Sequence, residues 1–257
     1  MPQRLPAGTG VGGPVKSLVQ VPSQGGHIES LIRGSNYRVW YENFHDFDAA
    51  TLPSPWTTRI AGTTPTMAKV ANEVNGVWRA TLAATSEAET AGVDFGDSLL
   101  INKPDAGGTH VNAVTKPIFE AYVRIPTALT TAQTVVIGLA TAFNATLTSI
   151  TKYAWFRFTA NMNVTIEGKD GTTTTTGQAP QSGTTTIDAN VFKLFTIDMT
   201  FPEATRFHVD DNFLGTVNMA ALAATDKFQP LVAIQKSTGT TTPTLDLDWV
   251  SVSGWRM

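Results

Sequence analysis

From Tyr37 onward, apolar and polar residues alternate in short runs. "YRVWYENFHDF", "GVWRATLA", "PIFEAYVRIP", "TVVIGLATAF", "AWFRFTA" and "NVTIEG" show it, followed by "FKLFTIDMTF", "TRFHVDD", "FLGTVNM", "PLVAIQK" and "LDLDWVSVSGW". Each run is rich in β-branched and aromatic residues and is bounded by Gly, Pro, Asn or Asp, the pattern of half-buried strands. Helical periodicity is nearly absent; "MAALAATDKF" (219–228) reads as a short helix or a turn. About a dozen strands without intervening helices predict an all-β sandwich or barrel.

Two Thr-rich stretches interrupt the pattern, residues 171–186 and residues 237–244. The first reads as a long polar loop or, because Thr favours extended backbone, as a polar hairpin. Residues 1–34 differ from the rest. They hold Pro2, Pro6, Pro14 and Pro22 among many glycines and cannot bury enough apolar surface to offset their own ordering entropy. They read either as a loose terminus or as an arm that orders on a partner. In the second reading Leu18, Val19, Val21, Ile28, Leu31 and Ile32 are the apolar anchors, and the alternating Val19 and Val21 suit a sheet edge. The division expected is an extended arm over 1–34 and a sandwich over 35–257.

Composition narrows the function. Of 257 residues 42% are hydrophobic, enough for a sizeable core, and only 15% are charged, against about 25% in an average domain. The net charge is −3, with no basic patch, which argues against a nucleic-acid binder. With no cysteine there is no disulfide, thiolate metal site or cysteine nucleophile. No apolar run reaches the ~18 residues of a membrane span. The N-terminus carries no apolar h-region and is read as lacking a signal peptide.

In "RFHVDDNFLGTV" (206–217), Asp210 and Asp211 separate two apolar runs. Asp and Asn tolerate left-handed backbone and make Asx turns, so these residues read as hairpin chemistry rather than a metal pair. The wider segment "FKLFTIDMTFPEATRFHVDDNFLGTV" resembles the late strands of concanavalin A-like jelly-roll sandwiches. "KPIFEAYVRIP" resembles the "F-E-A-R-I-K-L-P" strand of family 16 glycoside hydrolases and laminin G-like domains. "LDLDWVSVSGW" resembles their closing strand, and "YENFHDFD" their opening one, before "LPSPW". The resemblance spans about residues 41–255 and implies a two-sheet antiparallel jelly-roll sandwich.

The resemblance fails where the chemistry belongs. Family 16 hydrolases carry alternating carboxylates on the strand after the "F-E-A-R" and "W-P-A-F-W" segments, yet residues 127–164 hold no Asp or Glu. A retaining glycosidase needs two carboxyl groups about 5 Å apart. Glu167 and Asp170 come later and read as flanking a Gly-Lys turn. Other candidates are weak. His27, His45, His110 and His208 lack a metal-motif spacing; "HDFD" (45–48) reads as a strand end; the tripeptide at 94–96 reads as chance. Glu87 and Glu89 read as solvated, and Trp155 and Trp249 as core. No catalytic, cofactor or metal residue is expected, and no enzyme activity.

The low charge, the absent catalytic residues and a Pro/Gly-rich arm ahead of a sandwich are similar to phage-encoded laminin G-like structural proteins. That similarity implies a virion protein, a capsid cement or decoration subunit assembled in the host cytoplasm. Its arm would dock on the major capsid protein or another virion protein, and the body would form a homotrimer. The alternative is a lectin-like, carbohydrate-binding module of a phage fibre or tail. Neither reading involves nucleic acid, a membrane or a cofactor.

Overall fold

The computed structural model describes residues 37–43, 52, 55–70, 73, 76–97, 101–102, 114–171, 174–178, 186–223 and 225–256. Sixteen strands are found among them: β1 (Tyr37–Asn43), β2 (Thr57–Ala61), β3 (Thr66–Val70), β4 (Val77–Thr81), β5 (Glu89–Asp94), β6 (Ile101–Asn102), β7 (Val114–Arg124) and β8 (Gln133–Ala140), then β9 (Lys152–Phe158), β10 (Val164–Asp170), β11 (Thr174–Gln178), β12 (Lys193–Asp198), β13 (Thr205–Val209), β14 (Asn212–Val217), β15 (Lys227–Lys236) and β16 (Thr244–Arg256). The predicted all-β jelly-roll sandwich is what the chain forms.

One sheet runs β11-β10-β9-β8-β15-β5-β2, antiparallel throughout. The other runs β14-β13-β12-β7-β16, and the far edge of β16 is shared by β1 and β4, with β3 outside β4. These are called the β9 sheet and the β7 sheet. Short β6 joins them, parallel to β7 at Val114 and antiparallel to the start of β15.

Alternation sends every second side chain between the sheets. Phe156 and Phe158 of β9 meet Phe195 of β12 and Phe207 of β13 edge to face, with centroids 5.1–5.5 Å apart. Each such contact contributes roughly 0.5–1.5 kcal/mol beyond area burial. In β16 the alternation slips. Leu245 and Leu247 are buried, then Val250 and Val252, and the register shifts between Leu247 and Trp249. That bulge resets which face each residue takes. It turns Trp249 away from the core.

The Asp210–Asp211 pair is the two-residue turn of the β13–β14 hairpin, and both residues are left-handed at φ 48° and 63°. Asp210 does more than turn: its carboxylate accepts from the Leu194 N–H at 2.9 Å and from Lys193 Nζ at 2.7 Å, tying the turn to β12. Residues 219–223 and 225–228 form turns and the start of β15, the second of the two readings offered for this stretch. The described part of the first Thr-rich stretch, β11, pairs with β10, which favours the hairpin over the loop.

Candidate functional site

The family resemblance directs attention to β9, whose outward positions are Tyr153, Trp155 and Arg157. Strand register extends these positions into rows across the sheet. Glu167 of β10 lies opposite Trp155, which lies opposite Gly138 of β8, then Leu231 of β15, Asp94 of β5 and Thr57 of β2. Among the described residues this row holds two carboxylates, Glu167 and Asp94. Strands lie about 4.8 Å apart, so four strand steps put about 19 Å between Glu167 and Asp94. Glycosidase pairs need about 5–9.5 Å.

Both carboxylates are occupied. Glu167, only 4% exposed, accepts from the Trp155 indole Nε1–H at 2.9 Å, with Thr165 Oγ1 at 3.4 Å and Arg157 Nη1 at 3.5 Å. Tyr153 and Trp155 stack nearly parallel, 3.6 Å between centroids and 7° between planes. Burial, reinforced by the charge of Glu167, pushes the Tyr153 phenol up to about 12, so it stays protonated. Asp94 receives both Arg59 Nε and the Gly96 N–H. Its burial still wins, and its pKa lies above the ordinary carboxylate value.

A strap formed by residues 141–150 closes this face. Leu147 and Ile150 are buried on Val136, Leu231, Ala233 and the Tyr153–Trp155 stack, with Phe143 packed beside them. Thr90 Oγ1 and Gln235 Nε2 both donate to the Ala145 carbonyl, at 2.6 and 2.5 Å, and Gln235 Oε1 accepts from the Leu147 N–H. Asp97 accepts from the Phe143 N–H at 3.2 Å, while Arg59 lies 5.4 Å from the centre of the Phe143 ring. Burial disfavours the Asp97 carboxylate, but bonds from Gln229, Phe143 and Arg59 outweigh it and hold the group below its ordinary value.

The outer face of the β7 sheet is built differently. Trp249, Tyr122 and Leu194 share one row. Tyr122 lies between Phe192 at 5.1 Å and Trp249 at 6.3 Å, each pair of planes 24° apart. All four side chains are half-buried. The neighbouring row is polar: Ser251, Glu120, Thr196 and His208. Ser251 Oγ donates to Glu120 at 3.4 Å; burial outweighs that bond and raises the Glu120 pKa, with Asp211 adding to the effect. At the end of the ring row, Arg124 sits 4.6 Å over Phe192 while bonding Asp246 and Glu73, and Arg79 completes the cluster on Asp246.

Several sequence readings change. Glu167 does not flank a turn, because β10 runs through it. Gly168 is there for packing: a Cβ would sit 2.3 Å from Val217 and 2.5 Å from Met219 across the core. The turn comes at Gly171, φ +101°. Glu89 is not solvated. It is 1% exposed and pairs at 3.0 Å with Lys236, whose Nζ also donates to the Ala83 and Thr85 carbonyls. Burial opposes its ionisation, yet bonds from Lys236, the Ala83 N–H and Thr85 bring its pKa below the ordinary value. Glu87 does stand at the surface, accepting from Thr63. Trp155 is buried as expected, but under the strap rather than between the sheets, and Trp249 is half-buried on an outer face. His208 stands on β13 beside Phe213. Leu18, Val19, Val21, Ile28, Leu31 and Ile32, His27, His110 and residues 45–48 lie outside the described residues.

No family model matches the chain, and no curated protein matches it in sequence. Solved structures do match in fold. A protein of unknown function from Shewanella oneidensis MR-1 has TM-score 0.58 at 12% identity, covering 87% of this chain and 88% of its own. A structure from work on endo-acting O-glycanases of the human gut microbiota that initiate mucin breakdown has TM-score 0.55 at 11% identity, covering 85% and 98%. A family 16 glycoside hydrolase of the Bacteroides ovatus mixed-linkage glucan locus has TM-score 0.51 at 10% identity, covering 83% and 99%. These matches correct the expectation of a bacteriophage virion structural protein: the similar structures include glycan-acting proteins rather than shell or fibre subunits, and that expectation is carried no further. At these identities the match concerns the fold, a concanavalin A-like jelly-roll sandwich of the family 16 type.

Proposed function

We propose that this protein binds glycan chains without hydrolysing them. One observation carries the reading: across the β9 sheet face, where a family 16 enzyme groups its carboxylates, the row of described residues holds Glu167 and Asp94 four strands apart. A general acid and a nucleophile about 19 Å apart cannot act on one glycosidic bond. Glu167 is further committed to the Trp155 indole and Asp94 to Arg59. A fold of this kind also hosts glycan-acting proteins, which supports the ligand class by analogy only.

The test uses the purified full chain with soluble mixed-linkage β-glucan, xylan and laminarin. Binding is read by retardation in polysaccharide-containing native gels and cleavage by release of reducing ends. Retardation without reducing-end release is expected. Release that disappears in Glu167→Gln would show a hydrolase instead.

A further inference from the structure

Resting on the glycan-binding reading, we propose that the ligand lies on the outer face of the β7 sheet, along Phe192, Tyr122 and Trp249, and that it is a neutral polysaccharide chain. The β9 sheet face is closed at its aromatic pair, since the strap covers Tyr153 and Trp155 with Leu147 and Ile150. On the β7 face the three rings are instead only half-buried, and Phe192 and Trp249 each lie within 24° of parallel to Tyr122. A pyranose has flat patches of C–H bonds that pack on such rings, and hydroxyls around its rim that need partners. Two residues along each strand from the ring row, on the same face, stand Ser251, Glu120, Thr196 and His208. Glu120, Thr196 and His208 are half-buried and can each donate or accept a hydrogen bond, while Ser251 is buried and bonds Glu120. A ring row beside a polar row matches the two kinds of surface on a sugar chain, the combination expected of small-molecule sites generally.

Charge selects the class of chain. Asp246 and Glu73 neutralise Arg124 at the ring row. Glu120 lies within the polar row, and Asp211 is near enough to bear on it. An anionic uronic acid chain would meet these carboxylates and no uncommitted arginine of that row, whereas a neutral chain keeps its hydroxyl bonds without that repulsion.

The test compares the full chain with Tyr122→Ala, Phe192→Ala and Trp155→Phe, each checked for native circular dichroism and melting temperature. The probes are neutral mixed-linkage β-glucan and xylan, and polygalacturonate as the anionic chain. Each alanine variant should weaken neutral-chain binding by at least about tenfold, the scale of losing one ring contact of about 1.4 kcal/mol. Trp155→Phe, under the strap on the other sheet, should stay within about threefold of the parent, and polygalacturonate should bind least. If the parent binds and both alanine variants bind equally well, the location is wrong while the glycan reading stands. Preference for polygalacturonate would overturn the ligand class. If the parent binds none of the chains, the glycan reading fails and takes this inference with it.

Discussion

The two outer faces of this sandwich carry similar side chains and put them to opposite use. On the β9 sheet, Tyr153 and Trp155 stack 3.6 Å apart and are buried under residues 141–150. On the β7 sheet, Tyr122, Phe192 and Trp249 lie farther apart and half-open to solvent. One carboxylate on each side shows a like contrast. Asp97 is bonded into the strap and pulled below its ordinary pKa, while burial beside a single hydroxyl donor raises Glu120. An aromatic residue on a strand therefore reports burial or display only once the loop above it is known.

The largest expected effect tests the frame both faces share. Lys236→Met leaves Glu89 buried without its cation, and breaking a buried pair on one side costs about 3–5 kcal/mol. Urea denaturation should show that loss, with both faces melting together. Survival of full stability would mean Glu89 reaches water.

Leu147→Ala addresses the strap alone. Removing a buried leucine costs about 2–5 kcal/mol, and a cluster this near the surface belongs at the lower end. Acrylamide should quench Trp155 more strongly in this variant, whereas glycan binding on the β7 face should be unchanged. Unaltered quenching would mean the strap does not depend on Leu147. Gln235→Ala removes two strap bonds while Thr90 still reaches Ala145, so about 1–2 kcal/mol is expected, with faster amide exchange in residues 143–148.

Acid should act on Glu120 and Asp97 in opposite senses. The Glu120 pKa is raised in the fold, so its ionisation costs stability as pH climbs from the ordinary carboxylate value through the raised one. Glu120→Gln should therefore raise the melting temperature at neutral pH and lose that advantage below the ordinary carboxylate range. Asp97 has a lowered pKa, so its stabilising contribution is complete above the ordinary value and disappears as pH falls through the lowered one. Increased Trp155 quenching in that acid range, with no loosening of Tyr122, would mark the strap as the acid-sensitive side.

Asp211→Asn should change least, within about 0.5 kcal/mol, because Asn is also at ease at φ +63°. A larger change would show that the Asp211 charge matters to Glu120, and the melting-temperature shift with pH would reveal it.

The strands, the sandwich and the Asp210–Asp211 turn could be read from the sequence because each depends on neighbours within a few residues. Alternation with period two, and Asp at a left-handed turn, are local facts. Even the missing carboxylates of residues 127–164 are a matter of counting. The placement of Glu167 against Trp155 was not legible, since it rests on the β9–β10 register and on Gly168 serving the core instead of a turn. Nor was the ion pair of Glu89 with Lys236, 147 positions away, or the β16 bulge that turns Trp249 outward. Those outcomes depend on which strand lies beside which and which loop folds above it. Register and burial are set by the summed packing of distant residues, so tertiary structure alone decided whether an aromatic or a carboxylate was hidden or displayed.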